Sequence, residues 1–280
     1  MDKIEPLGDV LAFYDSHPIN ESQILEKLEL EGIAPDAITA SDLSRHDQDH
    51  YGGLPSNDAL AELARIGPGC HVLDVCSGMG GPARYFADRL GCRVTGIDLN
   101  TERVAAARRL TALVGLDDRV RFENANALAM PFDDATFDVV VSQEGFCHIP
   151  DKQRLVAECG RVLKPGGRIA FTDILVTDRM TQETRDRLSR GMAFHDLATE
   201  ADYRAALERA GCEVVEVVDL GETWRDILAD RLAMYRSLED QTVARYGRAH
   251  FDKWDEAYSF FVGLYRTGEL GGGRFLARRR

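Results

Sequence analysis

Cysteine is scarce in this chain: six in 280 residues, at 70, 76, 92, 147, 159 and 212, with no Cys-x-x-Cys pair among them. That excludes a disulfide miniprotein and a paired-thiol metal site, and a chain of this length buries an adequate core without cross-links. A reducing cytoplasm is the expected compartment. Basic residues are also in deficit, 34 against 47 acidic ones, for a net charge of -13. Such a balance excludes a protein whose main work is neutralising nucleic-acid phosphates or anionic lipid. No stretch approaches the roughly 18 apolar residues of a membrane span, and Met1-Asp2-Lys3-Ile4-Glu5 lacks the basic start and apolar run of a signal peptide. There is no repeat at a fixed period and no low-complexity tract, which removes solenoids and disordered arms. The composition that remains, 44% hydrophobic and 29% charged, is that of a soluble enzyme of one or two domains. The expected partner is a small molecule, with no nucleic acid and no membrane, and the expected state is a monomer or homodimer.

Between about 70 and 220, short apolar runs alternate with amphipathic stretches, the pattern of a parallel sheet with crossover helices. The strands are predicted at His71–Val75, Arg93–Asp98, Val120–Asn124, Phe137–Gln143, Gly167–Ile174 and Cys212–Leu220. Helices are predicted at Pro82–Leu90, with proline in the first turn, at Thr101–Val114, at Lys152–Leu163, and at Glu200–Ala210, closed by Gly211. The fold class is therefore α/β, a doubly wound, Rossmann-like, mostly parallel sheet with helices on both faces. Three regions are expected: an N-terminal helical lid segment over 1–69, a core over 70–221 with an insertion at 175–211, and a C-terminal helical segment with a final strand over 222–280. The N-terminal segment contains a helical pattern at Glu21–Glu31 ended by Gly32. The additions are where a lid would be built, because open sheets bind ligands beyond the carboxyl ends of their strands.

The most informative stretch is Val72-Leu73-Asp74-Val75-Cys76-Ser77-Gly78-Met79-Gly80-Gly81-Pro82-Ala83, an apolar strand running into a glycine turn that opens a helix. Such a turn brings backbone close to a ligand and offers free N–H groups at a helix start. Gly78-x-Gly80-x-x-Ala83 with Asp98 twenty residues on matches a dinucleotide fingerprint, which taken alone does not separate a nicotinamide dinucleotide from another adenosine cofactor. Asp74 separates them: a carboxylate just ahead of the glycines repels a diphosphate and suits a cofactor that carries an ammonium and a sulfonium.

With Asn126-Ala127-Leu128-x-Met130-Pro131-Phe132, Phe137-Asp138-Val139-Val140-Val141-Ser142-Gln143 and Val162-Leu163-Lys164-Pro165-Gly166-Gly167-Arg168, this succession resembles the class I S-adenosylmethionine-dependent methyltransferases over about 70–180. The resemblance implies S-adenosyl-L-methionine as cofactor, with Ser77, Gly78 and Gly80 along its methionine part, Asp74 in the acidic place before the turn, Asp98 on the ribose hydroxyls and Leu99 against adenine. Asn126 and Ala127 match the pair at the adenine edge, with Asn where Asp is commoner. Cys76 stands where the family pattern has glycine. Asp98-Leu99, Asp47-Gln48-x-x-Tyr51-Gly52-Gly53, Ser142-Gln143-Glu144-Gly145-Phe146-Cys147-His148 and Leu264-Tyr265-Arg266-Thr267-Gly268-Glu269-Leu270-Gly271 look most like sarcosine/dimethylglycine-type small-molecule N-methyltransferases. Subfamilies acting on oxygen, sulfur or carbon share the scaffold, so the acceptor atom is left open between them.

Methyl displacement from a sulfonium needs alignment and exclusion of water more than a nucleophilic side chain or a metal. A base helps an acceptor that arrives protonated, and His148 and Glu144, just past the fourth core strand, are the candidate catalytic residues. Their bland alternative is a helix cap and a packed ring. Tyr51 and Gln143 are candidates at the cofactor, Tyr51 as a lid over its methionine end, against a plain turn residue. Tyr14, His17 and His195 are candidates at the acceptor, although a lone histidine on an apolar stretch is commonly a satisfied core residue. His46-Asp47-Gln48-Asp49-His50 contains ligand types but only one short segment of them, so no metal is expected. Residues 1–50 hold 12 acidic against 3 basic residues, -9 of the -13, an acidity expected to favour a cationic or zwitterionic acceptor. A nicotinamide-dependent oxidoreductase and a cofactor-binding protein without chemistry are the distant alternatives.

Overall fold

The computed structural model describes residues 19–194 and 196–280, together with Gly8. Among the described residues three α-helices precede the sheet: α1 (Glu21–Leu30), α2 (Ala40–Ser44) and α3 (Gly53–Ala64). The first two are started by side-chain caps, Asn20 on the Gln23 N–H and a reciprocal Thr39/Asp42 capping box. The chain then alternates as β1 (His71–Val75), α4 (Gly81–Leu90), β2 (Arg93–Asp98), α5 (Thr101–Leu113), β3 (Val120–Asn124), β4 (Phe137–Gln143), α6 (Lys152–Val162) and β5 (Leu163–Val176). It continues with α7 (Gln182–Met192), α8 (Glu200–Arg209), β6 (Cys212–Asp219), three helices α9 (Gly221–Ser237), α10 (Glu239–Tyr246) and α11 (Arg248–Thr267), and β7 (Leu270–Arg279).

The seven strands form one sheet in the order β3-β2-β1-β4-β5-β7-β6. Six strands, β1–β6, point the same way, and β7 alone is reversed, entering antiparallel between β5 and β6 and pairing Arg168 with Arg278 on one side and Cys212 with Arg279 on the other. The strands and helices expected from the sequence start and stop within a residue of the observed ones except at β5, which begins earlier and runs longer than its apolar stretch, and β6 meets β5 only through β7.

Helices α3, α4 and α5 cover one face, where Leu60, Phe86 and Ala107 pack on Val72, Val94, Val139 and Val141. Helices α6 and α8 cover the other, with Leu155, Val156, Tyr203 and Leu207 against Leu73, Val140, Phe171 and Phe275. Helix α8, inside the 175–211 insertion, is therefore part of this layer. A separate apolar cluster caps the carboxyl ends of β4 and β5, built from α7, α9 and α11 with Leu188, Trp224, Leu228, Phe261 and Tyr265 around Cys147 and Ile174. Between β1 and β4 the strand order reverses, and this switch point is where an open α/β sheet presents a ligand crevice.

Candidate active site

At the switch point both strands end in strained backbone. Cys76, one residue beyond β1, has φ +62°, and Glu144, one residue beyond β4, has φ +49°. Left-handed conformations cost non-glycine residues free energy and persist where the surroundings enforce them. The two turns press on each other, since a β-carbon added at Gly145 would collide with that of Cys76. The positive φ explains why glycine is the usual occupant at position 76, and Gly145 is the compensation for a side chain there.

The glycine turn wraps the end of β2. Asp98 accepts the Gly78 N–H at 2.8 Å and the Asn100 N–H at 2.9 Å, and Ser77 donates its N–H to the Ile97 carbonyl at 2.9 Å. Gly80 (φ +80°) cannot carry a β-carbon because the Phe122 ring fills that space. Two buried atoms of this turn, Asp74 Oδ2 and Ser77 Oγ, have no hydrogen-bond partner among the described residues. Burial, with the nearby Asp98 charge adding to it, pushes the Asp74 carboxyl up to about 8. Burial likewise raises Asp98, against the two N–H groups it accepts. An orphaned buried carboxyl and hydroxyl beside a glycine cradle fit a ligand that brings an ammonium, and they fit a pyrophosphate badly.

Around this turn, Leu99 is half-buried and its carbonyl takes the Asn124 side-chain amide at 2.7 Å. Ala127 is buried, and Asn126 uses its side-chain oxygen to accept the Leu128 N–H at 2.9 Å, keeping a second lone pair. Gln143 sits at the end of β4 but reaches α3, donating to Asn57 at 2.8 Å and accepting from Ser56 at 3.2 Å.

The segment 46–51 is strapped over the turn. Asp47 pairs with Arg84 of α4 at 2.8 Å, both almost fully buried, and Asp49 pairs with Arg103 of α5. Gln48 accepts from Asn57 at 2.7 Å and meets His50 at 3.0 Å, while His46 pairs with Glu31 at 2.8 Å. Burial lowers His50 to about 4, so it is neutral at physiological pH. These side chains hold the strap, and among the described residues there is no group of three or more metal-ligating side chains.

Beyond β4, Glu144 is half-buried, with both carboxyl oxygens engaged. The Thr172 hydroxyl donates to its Oε1 and the Tyr51 backbone N–H to its Oε2, each at 2.5 Å, and burial lifts its carboxyl to about 8. The Tyr51 ring meets Trp224 edge-on at 5.0 Å, and the Arg231 guanidinium lies 5.2 Å from its centroid. His148 is buried in the short 3-10 turn Phe146–His148, its Nδ1 at 3.3 Å from the Ala193 carbonyl and its ring 4.9 Å from Phe194. Tyr14, His17 and His195 lie outside the described residues.

Several residues here escape the sequence reading. Asp173, wholly buried in β5, accepts the Cys147 N–H at 3.0 Å and the Tyr203 hydroxyl at 2.6 Å, fixing the turn that carries His148. Burial raises its carboxyl to about 6. Thr172 and Asp173 lie in the same strand where its carboxyl end approaches the crevice, so the carboxyl-end rule was a usable signal for them. Arg84 and Arg103 carried none, being helical residues whose partners lie far away in sequence, and Tyr265, within the Leu264–Gly271 stretch, had no role of its own assigned from sequence.

A family model described as a methyltransferase domain matches residues 73–171. Among curated relatives, methyltransferase phqN of Penicillium fellutanum is 31% identical over 78% of this chain and 64% of its own length. Methyltransferase GfsG of Streptomyces halstedii is 30% identical over 75% of this chain and 83% of its own, and the sarcosine/dimethylglycine N-methyltransferase of Halorhodospira halochloris is 32% identical over 58% of each. The chain thus spans just under two thirds of the first of these. At 30% identity stand two enzymes named for other atoms, the 27-O-demethylrifamycin SV methyltransferase of Amycolatopsis mediterranei (70% and 73% covered) and the 24-methylenesterol C-methyltransferase 3 of Arabidopsis thaliana (69% and 59%). In fold, the cyclopropane synthase MmaA2 of Mycobacterium tuberculosis superposes with a TM-score of 0.78 at 16% identity, covering 97% of this chain and 98% of that one. With a glycine turn, two acidic strand ends and a seven-stranded sheet in this order, the chain belongs to the class I S-adenosylmethionine-dependent methyltransferases.

Proposed function

We infer that this chain methylates a nitrogen of a small amine or amino acid in the cytoplasm. The observation that carries the reading is Glu144, a buried carboxyl at the end of β4, oriented by two donors and neighboured by tyrosines. When bound, S-adenosylmethionine supplies an electrophilic methyl on sulfur. On this side, Asp74 takes the cofactor's ammonium, the Ser77–Gly80 turn runs along its methionine part, and Asp98 takes the ribose. Leu99, Asn126 and Ala127 bound the adenine. Tyr51 closes the methionine end from the strap, with Gln143 holding α3 beneath it.

Catalysis then rests on alignment and exclusion of water by the strap and helices of 19–69, by the 175–211 insertion and by the helices of 222–280, in a monomer or homodimer. Glu144 or His148 takes the proton that an ammonium acceptor must give up before its lone pair is free. Six free cysteines agree with a reducing compartment. A second reading, an oxygen acceptor, has support in the same carboxyl, since a base near neutrality also accepts a hydroxyl proton. Incubation with methyl-labelled cofactor and a metabolite extract, followed by mass spectrometry, tests both. Label on an amine nitrogen is expected, and label on oxygen or carbon alone would refute the nitrogen assignment.

A further inference from the structure

Of the three orphaned buried side-chain oxygens among the described residues, two lie in the cofactor turn and the third lies elsewhere. The Tyr265 hydroxyl, on α11, is buried and has no hydrogen-bond partner among the described residues. A buried hydroxyl left unpaired is costly, and such groups mark places where a ligand completes the bonding. Tyr265 packs in one apolar cluster with Cys147, three residues past Glu144, and with Ile174 and Val176 of β5, which puts its ring at the carboxyl ends of β4 and β5.

Glu144 has capacity to spare. Each of its oxygens receives one donor and keeps a further lone pair. Arg231, a basic group near it, is engaged by the Tyr258 hydroxyl and by the His50 carbonyl at 2.7 Å. The surrounding walls are aromatic: Tyr51 on Trp224, and Tyr258 and Tyr265 against Phe261. A carboxyl among aromatic faces is chemistry that receives a cation.

We propose that Glu144 and Tyr265 form a two-point acceptor clamp, each oxygen taking one N–H of the acceptor, so that the site selects primary and secondary aliphatic amines. This rests on the chain being an amine methyltransferase. A tertiary amine, with one N–H when protonated, satisfies half of the clamp, and a quaternary ammonium satisfies none of it.

The test uses the whole protein saturated with S-adenosylhomocysteine and titrated with methylammonium, dimethylammonium, trimethylammonium and tetramethylammonium chloride, with affinities from ligand-observed NMR. Losing one such hydrogen bond weakens binding about 5-fold. The first two probes are expected to bind alike, trimethylammonium about 5-fold weaker and tetramethylammonium weaker again. Tyr265→Phe, which keeps the ring and its 5.4 Å contact with Phe261, is expected to bring the first two down to the trimethylammonium level and leave tetramethylammonium unchanged. Glu144→Gln is expected to weaken the N–H-bearing probes at least about 10-fold. Tetramethylammonium binding tightest, a uniform effect or none in Tyr265→Phe, or no binding of any probe would overturn the clamp. Affinity for S-adenosylhomocysteine, measured on the same preparations, separates the two levels: its absence refutes the methyltransferase reading, whereas its presence without discrimination among ammonium ions refutes only the clamp.

Discussion

Cofactor binding should release a proton from Asp74. Its carboxyl is buried with one oxygen orphaned, and burial together with Asp98 lifts it to about 8 from an ordinary 3.8. At pH 7 roughly nine tenths of the cofactor-free molecules therefore carry a proton there, an environment that opposes the charge by about 6 kcal/mol. An ammonium placed against the carboxyl reverses that preference, and the proton leaves. Calorimetric titration of S-adenosylhomocysteine in buffers of different ionisation enthalpy reads the number directly, as the slope of observed against buffer enthalpy. The expected value is about 0.9 proton released at pH 7, since the cofactor's own amine is largely protonated there. Asp74→Asn keeps the shape and removes the titration, so the release should vanish and the affinity fall about 10- to 100-fold, the loss of one charge-assisted hydrogen bond. A slope near zero in the parent protein, or an unchanged slope in Asp74→Asn, would refute the placement of the ammonium.

Stability of the cofactor-free protein should fall as pH rises from 6.5 to 8. Asp74 and Glu144, both raised to about 8, hold protons in the fold that the unfolded chain has already released, and this outweighs His50, which is lowered to about 4 and so neutral in the fold but releases at most about half a proton from the unfolded chain over the window. Melting curves across that window check the sign, and a rising melting temperature would contradict it. Arg84→Met leaves Asp47 buried without its cation and should cost about 3–5 kcal/mol in denaturant unfolding, against the near-zero effect of exposed pairs such as Arg204 with Glu200. His148→Ala should lower turnover on the identified acceptor about 100-fold while S-adenosylhomocysteine affinity stays within about 2-fold, and equal turnover would remove His148 from the chemistry.

The alternating core was legible because its strands are short apolar runs, or in β3 an apolar/polar alternation, punctuated by glycine, proline or a capping residue. A strand in the last segment was legible too, but not its place between β5 and β6. Gly271, Gly272 and Gly273 carry no apolar alternation, and two of them are glycine for tertiary reasons: a β-carbon at Gly272 would collide with Trp224 and one at Gly273 with Leu175 and Phe275. At the site, Asp74, Asp98 and the glycine turn are adjacent in sequence and could be read together. The strap could not, because Asp47 finds Arg84 across 37 positions and Asp49 finds Arg103 across 54. The acidity of residues 1–50 has the same explanation in part. Asp47, Asp49, Glu21 and Glu26 are matched by Arg84, Arg103, Arg109 and Arg245, which fastens the segment to the body.

The way β7 enters the sheet decides what the acceptor side can do mechanically. Strand β6 is joined to the sheet through β7, so removing 270–279 would detach two strands. Tyr265 stands five positions before that inserted strand, and the α11 helix that carries it ends at Thr267. The helix that carries Tyr265 is therefore tethered at its carboxyl end to a strand in the interior of the sheet, whereas the strap over the glycine turn is held by ion pairs and hydrogen bonds to α4 and α5.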